Sequence, residues 1–322
     1  MQFFRGLHNT RSFPQGCVLT IGNFDGVHLG HQQVLNKLKQ HAKALALPSA
    51  VMVFEPQPKE HFDLDGAPAR LTTLSEKIEK LAENGIDALA CFAFNNRFMS
   101  LSAEEFVQQV LVDGLNVKSL IIGDDFKFGC DRSGDFKYLK MAGEKHGFTV
   151  QDTKTVQQSG TRVSSTEIRA ALEQGDLKHA AELLGEEFNI SGRIAHGQKL
   201  GRTLGVPTAN VILKRHKTPL TGVFAVQVKT SVGTYNGVAN IGMRPTVGVV
   251  TPILEPYLFD FDGDLYGQRI KVVFKQKIRE EKRFNGLDEL KVAIYKDIDT
   301  AKQYFIENNL SPKHSANNKE PK

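Results

Sequence analysis

Two hydrophobic periods occur in this chain, and they occupy different parts of it. From Gly16 to Gly185, strand-length apolar runs alternate with stretches whose apolar residues recur at helical spacing. Cys17–Gly22, Ser49–Phe54, Ala88–Phe94 and Val117–Gly123 are the strand-like runs. His31–Leu45 (with Val34, Leu38, Ala42 and Leu45), Ser75–Asn84 and Ser102–Leu111 are the helical ones. The last opens on Ser102 and Glu105, the spacing of a capping box. Strands that are apolar at every position are covered on both faces, and parallel neighbours need a crossover helix. The alternation predicts an α/β, doubly wound, mostly parallel sheet.

After Glu187 the helical period stops. Phe224–Thr230, Gly233–Ala239, Ile253–Phe259 and Ile270–Phe274 are short β-like runs broken by glycine, which predicts a small antiparallel barrel or sandwich. One helix follows over Leu287–Asn308, with Leu290, Ile294, Ile298 and Phe305 on one face. Ser311–Lys322 is polar, holds two prolines, and is expected to be disordered. The boundary falls near Leu184–Phe188, and there is no internal repeat.

A length of 322 residues suits two domains at roughly 100–200 residues each. A net charge of +5 suits anionic small molecules but does not by itself argue for nucleic acid. Cys17, Cys91 and Cys130 lie far apart without CxxC spacing, which predicts neither a zinc site nor a disulfide framework and points to the cytoplasm. Met1–Pro14 is polar and does not read as a signal peptide. No run approaches the roughly 18 apolar residues of a membrane span.

The segment Gly22–His31, GNFDGVHLGH, places two histidines three residues apart among glycines, between a strand and a helix. Ligands of parallel sheets bind beyond the carboxyl ends of strands, where a helix start offers free N–H groups and positive dipole. Three readings stay open for His28 and His31: helix capping, a metal pair, or imidazole donors to phosphate oxygens. The third suits nucleotidyl transfer, with Asp25 orienting a ring or the loop. A second constellation spans Gly192–Asn210, GRIAHGQKLGRTLGVPTAN, with Arg193, Lys199 and Arg202. It is glycine-rich and basic like a phosphate loop but lacks P-loop spacing. Thr208 and Asn210 are hard oxygen donors that would face one side of an extended strand, a geometry suited to Mg²⁺ and phosphate. A plain turn is the competing reading.

GNFDGVHLGH resembles the His-x-Gly-His signature of the nucleotidylyltransferase superfamily, in the form found in the bacterial bifunctional riboflavin kinase/FAD synthetase family. Gly123–Asp135 (GDDFKFGCDRSGD) is similar to that family's segment near adenine and flavin, and Ser164–Arg169 (SSTEIR) to its second nucleotide signature. Phe54–Phe62 (FEPQPKEHF) resembles a loop over the flavin site, and its prolines suggest an extended connection. The stretch from Gly192 continues the likeness through Gly237–Gly248, Phe259–Gln268 and Lys277–Phe284, as in the riboflavin kinase domain. The basic run Lys277–Arg283 reads equally as a solvated face or a flavin-site flap.

The resemblance implies a nucleotidylyltransferase-like domain over 1–185, a riboflavin kinase β-barrel with a C-terminal helix over 186–308, and a tail over 309–322. It implies catalytic roles for His28, His31 and Glu255, the last as general base toward the ribityl 5′-hydroxyl. Gly22, Asn23, Phe24, Asp25, Gly30, Ser164, Ser165, Thr166, Arg169, Gly201, Gly205, Thr208 and Asn210 would bind nucleotide, with Thr208 and Asn210 also on Mg²⁺. Asp125 and Phe128 would contact flavin. The expected reactions are ATP-dependent phosphorylation of riboflavin to FMN and adenylylation of FMN to FAD. The expected partners are riboflavin, FMN and ATP, with no nucleic acid and no membrane; the oligomeric state stays open. The family's Glu-Val-His-like stretch is here Glu255-Pro256-Tyr257, and proline predicts an edge strand or a bulge at that point. A single-activity enzyme that has lost the kinase, a relative of the class I aminoacyl-tRNA ligases, and a non-catalytic flavin- or nucleic-acid-binding protein are the alternatives.

Overall fold

The computed structural model describes residues 1–6, 13–123, 125–153, 157–158, 161–196, 204–246 and 249–314. The chain forms two compact units. One comprises Met1–Pro68 and Leu74–Ser164; the other comprises Ala69–Thr73 and Ser165–Lys322.

The first unit is a six-stranded sheet of β1 (Gln2–Arg5), β2 (Cys17–Ile21), β3 (Ser49–Glu55), β4 (Ala88–Ala93), β5 (Val117–Ile122) and β6 (Thr149–Asp152). The order is β1-β4-β3-β2-β5-β6 and every pairing is parallel. The order reverses between β2 and β5, so the carboxyl end of β2 lies at a topological switch point. Successive side chains alternate faces, and both faces are covered. Cys17, Leu19 and Ile21 join a core with Phe106, Val110 and Leu139, whereas Val18 packs with Leu35, Leu38, Leu81 and Ile121. That double burial is why these strands read as continuous apolar runs.

Helix α1 (Leu29–Leu45) buries Leu35, Leu38 and Ala42. A short helix α2 (Pro58–Phe62) follows a cis Glu55–Pro56 bond, where an extended connection was expected. Pro58 falls in the first turn of α2, where its missing N–H needs no partner. Helix α3 spans Leu74–Glu83, and α4 spans Asn96–Met99. The capping box at Ser102 forms with both hydrogen bonds, opening α5 (Ala103–Glu105). The chain then widens to π-helical geometry over Phe106–Val112. Helix α6 (Phe136–His146), the edge strands β1 and β6, and the hairpin β7 (Gln157–Gln158) with β8 (Thr161–Arg162) had no clear periodic signature.

The second unit begins with α7 (Ser165–Gln174) and α8 (Leu177–Leu184). A closed antiparallel barrel follows: β9 (Asn189–Ala195), β10 (Asn210–Val211), β11 (Gly222–Thr230), β12 (Gly233–Thr246), β13 (Val249–Leu258) and β14 (Arg269–Arg279). The order β11-β14-β9-β10-β13-β12 is closed by β11 pairing β12, so barrel rather than sandwich is the outcome. Helix α9 (Leu287–Glu307) places Ile298, Ala301 and Phe305 against Val206, Val223, Ala225 and Val238. Beyond α9, β15 (Lys313–His314) pairs with Thr234 and Gly233. Among the described residues no helix is long and apolar enough to cross a membrane.

Candidate functional site

Strand β2 ends at Ile21, and Gly22 N–H extends the ladder to the Met52 carbonyl at 3.1 Å. The turn to α1 then takes Phe24 and Val27 to positive φ, 45° and 46°. Such a conformation costs about 1–3 kcal/mol per non-glycine residue and persists where the surroundings enforce it. Here both side chains are buried in the apolar cluster that includes Leu35 and Leu81. Asp25 is buried with them, while Asn23 is exposed. Gly30 is required by close approach, because a methyl there would come 3.1 Å from the His28 ring and 3.3 Å from the Val163 carbonyl.

His28 is the N-cap of α1, its Nδ1 accepting from His31 N–H at 3.4 Å. Capping therefore is one of the things this histidine does. An accepting Nδ1 puts the ring proton on Nε2, which keeps a donor for an anion. The His28 and His31 rings stack at 3.7 Å and 20°, and Phe24 lies 4.8 Å from His31. Burial, then His28, then Lys77 hold the His31 ring well below the ordinary imidazole pKa. Its Nδ1 is buried with no hydrogen-bond partner among the described residues. Among the described residues there is no cluster of three or more His, Cys, Asp or Glu side chains suited to a metal.

The segment leading to SSTEIR runs beside this turn, since Val163 approaches Gly30. Ser164 closes the first unit; Ser165, Thr166 and Arg169 belong to the second. Arg169 donates from Nε to the Ala69 carbonyl at 2.6 Å, and Glu167 lies 3.9 Å from His179. Asp125 is exposed, whereas the Phe128 ring is buried in the core against Phe106 at 5.1 Å.

An aromatic cluster that sequence reasoning passed over sits at the carboxyl ends of β3 and β4. Phe54 meets Phe94 at 5.5 Å and Phe98 at 5.1 Å, and His61 and Phe62 of α2 meet Phe94 at 5.7 and 5.9 Å. Phe62 is 71% exposed, so one large ring faces solvent beside four others. Phe98 continues through Phe106 to Phe128. The spacing F54…H61-F62 and F94…F98 was the available signal. Lys77, wholly buried in α3, was missed as well.

The second unit holds a cavity of about 310 Å³ lined by Thr208, Asn210, Asn240 and Glu255 on one side and Val206, Val223, Val238, Leu290 and Ile294 on the other. Glu255 is in register with Asn240 on β12. Val211 pairs with Leu254, which places Asn210 opposite Glu255 on the other flank. Cross-strand neighbours share a face, so Asn210, Glu255 and Asn240 form one polar row across three strands.

The ladder at Pro256 is regular, without a bulge. Ala209 N–H donates to the Pro256 carbonyl at 2.9 Å; the reciprocal bond is the one proline cannot make. Strand atoms of one residue point the same way, so the prolyl nitrogen faces that short β10 side and the pairing with β12 survives.

Arg279 grips Asp297 of α9 with two bonds, Nε to Oδ1 at 2.9 Å and Nη2 to Oδ2 at 2.7 Å. Glu281 packs against Gly242, where a methyl would overlap its carboxylate. Burial raises the Glu281 pKa above the ordinary carboxylate value against the pull of Arg279. Arg279, Glu281, Lys282 and Phe284 all line the cavity, so this basic run is a wall and not a remote solvated face. Thr208 and Tyr257 also border a depression of about 280 Å³ with Phe261, Asp264 and Tyr266, and Tyr266 stacks on His196 at 4.0 Å. Gly205 is exposed at φ 79°. Arg193 donates to the Gly267 carbonyl at 2.8 Å. Gly201, Lys199 and Arg202 lie outside the described residues.

The FAD synthetase family model matches residues 10–167, and the riboflavin kinase model matches residues 184–305. The chain is 54% identical over 303 residues to the bifunctional riboflavin kinase/FMN adenylyltransferase of Pseudomonas fluorescens, covering 94% of this chain and 97% of that one. It is 51% identical over 308 residues to the protein of the same name from Escherichia coli K12, covering 95% and 98%. A crystal structure titled macrolide-efflux protein, from Streptococcus pneumoniae, superposes with a TM-score of 0.77 at 29% identity, covering 94% of this chain and 99% of that one.

Proposed function

The chain belongs to the bifunctional riboflavin kinase/FMN adenylyltransferase family, and we propose how its residues divide the two activities. The protein phosphorylates riboflavin to FMN with ATP and transfers AMP from ATP to FMN, giving FAD and pyrophosphate. We assign adenylyl transfer to residues 1–185 and the kinase to the barrel, 186–308. The observation that carries the kinase assignment is the polar row Asn210, Glu255 and Asn240 at the edge of an apolar cavity.

In the kinase, the apolar wall takes the flavin ring and Glu255 accepts the proton of the ribityl 5′-hydroxyl as that oxygen bonds to the γ-phosphorus and the bond from the γ-phosphorus to the departing ADP oxygen breaks. A primary alcohol is a poor nucleophile at neutral pH, and general-base help contributes about 10²–10⁴-fold. The depression beyond Thr208, with Tyr266 as a ring platform, takes the adenine. Thr208 and Asn210 are hard oxygen donors beside the same carboxylate, a donor set that fits Mg²⁺ with phosphate oxygens. When bound, the cation balances the charge of the transferring phosphoryl group.

In adenylyl transfer the FMN phosphate is already anionic and needs no strong base. Its oxygen bonds to the α-phosphorus of ATP while the bond to pyrophosphate breaks. His28, through Nε2–H, and His31 hold the phosphates where charge accumulates. The turn Gly22–Asp25 and Gly30 complete the nucleotide side within the first unit, and the family resemblance assigns Ser164–Thr166 and Arg169 to nucleotide binding. Flavin is taken by the aromatic residues around Phe54, Phe62 and Phe94 and by Asp125 and Phe128.

We place the protein in the cytoplasm, with riboflavin, FMN and ATP as its partners. Cys17, Cys91 and Cys130 form no disulfide, which supports this; burial pushes the Cys17 thiol up to about 12, so that group is unreactive. The test is chromatographic. Purified chain with ATP and MgCl₂ receives riboflavin in one tube and FMN in another. FMN followed by FAD from riboflavin, and FAD from FMN, is the expected result. FAD from FMN alone would overturn the kinase assignment and implicate Glu255-Pro256-Tyr257.

A further inference from the structure

Helix α3 carries a lysine where an amphipathic helix should carry an apolar residue. Leu74, Lys77, Ile78 and Leu81 follow the spacing of one helical face. Leu74, Ile78 and Leu81 pack into the apolar cluster that also contains Phe24 and Val27 of the histidine turn. The face is thus buried in the same core as that turn, and Lys77 in the middle of it is only 1% exposed. A core ammonium is costly and is kept where its charge has a use.

The two histidines of the turn bring no fixed positive charge to it. His28 accepts a hydrogen bond through Nδ1, which an imidazolium cannot do. His31, half-buried, stacks on His28 and carries an unpartnered buried Nδ1 among the described residues. A triphosphate brings several negative charges to two rings that act as neutral donors. Resting on the reading of this turn as the ATP phosphate site, we propose that Lys77 is the fixed cation of the adenylyl-transfer site, a positioning residue that acts through His31 on the phosphate chain.

The sign of the coupling follows from electrostatics. An ammonium disfavours a second positive charge nearby, so it keeps His31 a neutral donor; its charge is one of the causes of the lowered His31 pKa. The titratable groups buried in the turn and in α3 are Asp25, His28, Glu76 and Lys77, with His31 half-buried at the start of α1. Of these, His28 and Lys77 act to lower His31. Glu76 and Asp25 are the buried carboxylates of the same two elements.

The experiment compares full-length wild type, Lys77→Met, Lys77→Arg and His31→Ala for FAD formation from FMN between pH 5 and 8.5, with riboflavin phosphorylation in the same preparations as the folding control. Lys77→Met should lower kcat/KM for FAD formation on the order of 10²-fold, the scale of losing one preorganised electrostatic contact. Its acid limb should move to higher pH, Lys77→Arg should recover most of the loss, and the kinase should be unchanged. FAD formation within threefold of wild type in Lys77→Met, or a loss with an unmoved acid limb, would overturn the proposal. Should Lys77→Met fail to fold, ring NMR titration of His31 in wild type and Lys77→Arg decides: an ordinary imidazole value in wild type overturns it, a depressed one in both supports it. Undiminished FAD formation in His31→Ala would instead sink the phosphate-site reading itself, and the proposal with it.

Discussion

In the first unit, ten consecutive residues, Gly22–His31, hold both histidines, the positive-φ backbone and the helix start. In the second, Asn210, Asn240 and Glu255 come from separated segments and meet through strand register, with Thr208 just before β10. The histidine site is rigid through local strain held by buried side chains; the barrel site is rigid because a closed ladder leaves no strand free to slip. A local site should therefore respond to changes within its own turn, and a register site to changes at distant fastenings such as Arg279–Asp297.

The largest expected effect is a double dissociation. Glu255→Gln should reduce FMN formation by about 10²–10⁴-fold and leave FAD formation from FMN intact. His31→Ala should do the reverse, by on the order of 10²-fold. Loss of both activities in either folded variant, read by flavin chromatography, would break the two-site division.

Next comes the fastening. Asp297 is 5% exposed and carries both bonds from Arg279. Asp297→Ala leaves a half-buried guanidinium without its partner and should cost about 3 kcal/mol, seen as a lower urea midpoint of the second unit. Riboflavin KM should rise with it, because Arg279 and Phe284 wall the cavity. An unchanged midpoint would mean that register alone holds this site.

A smaller effect concerns pH. His31 is held neutral in the fold, while the unfolded chain takes up a proton near its ordinary pKa. The unfolded state then binds more protons below about pH 6.5, so the neutral ring's contribution is intact above that value and is lost as pH falls through the folded pKa. The slope from this residue is at most about 1.4 kcal/mol per pH unit. His31→Phe should flatten the urea-midpoint profile between pH 5 and 6.5; an unchanged profile would contradict the burial of the ring. Smallest of all, Gly242→Ala should displace the flexible end of Glu281 and raise riboflavin KM by about threefold, with stability altered by less than about 0.5 kcal/mol.

The same contrast explains which parts were legible in advance. The doubly wound sheet follows from strands such as Cys17–Ile21, apolar at nearly every position, and the barrel from the loss of helical period after Glu187. Strands β1 and β6 escaped notice because they are short and partly exposed at the sheet edges. Leu290 and Ile294 share a helix face with Ile298 and Phe305, yet both line the cavity, Ile294 while also packing against the core. Periodicity reports that a face is covered and is silent on whether protein or ligand covers it.

By itself the sequence determined the class of each half, the capping box at Ser102, and the placing of two histidines at a strand-to-helix turn. These depend on neighbours within a few residues, where period, glycine and capping chemistry act directly. The tertiary structure alone decided that Lys77 is buried on an otherwise apolar face of α3, that Asn210 and Asn240 flank Glu255, that Pro256 spares the β12 ladder, and that Phe54, Phe62, Phe94 and Phe98 gather at one end of the sheet. Those juxtapositions join residues tens of positions apart. They are set by which strands pair, in what register and around what closure, and a linear pattern encodes none of that locally.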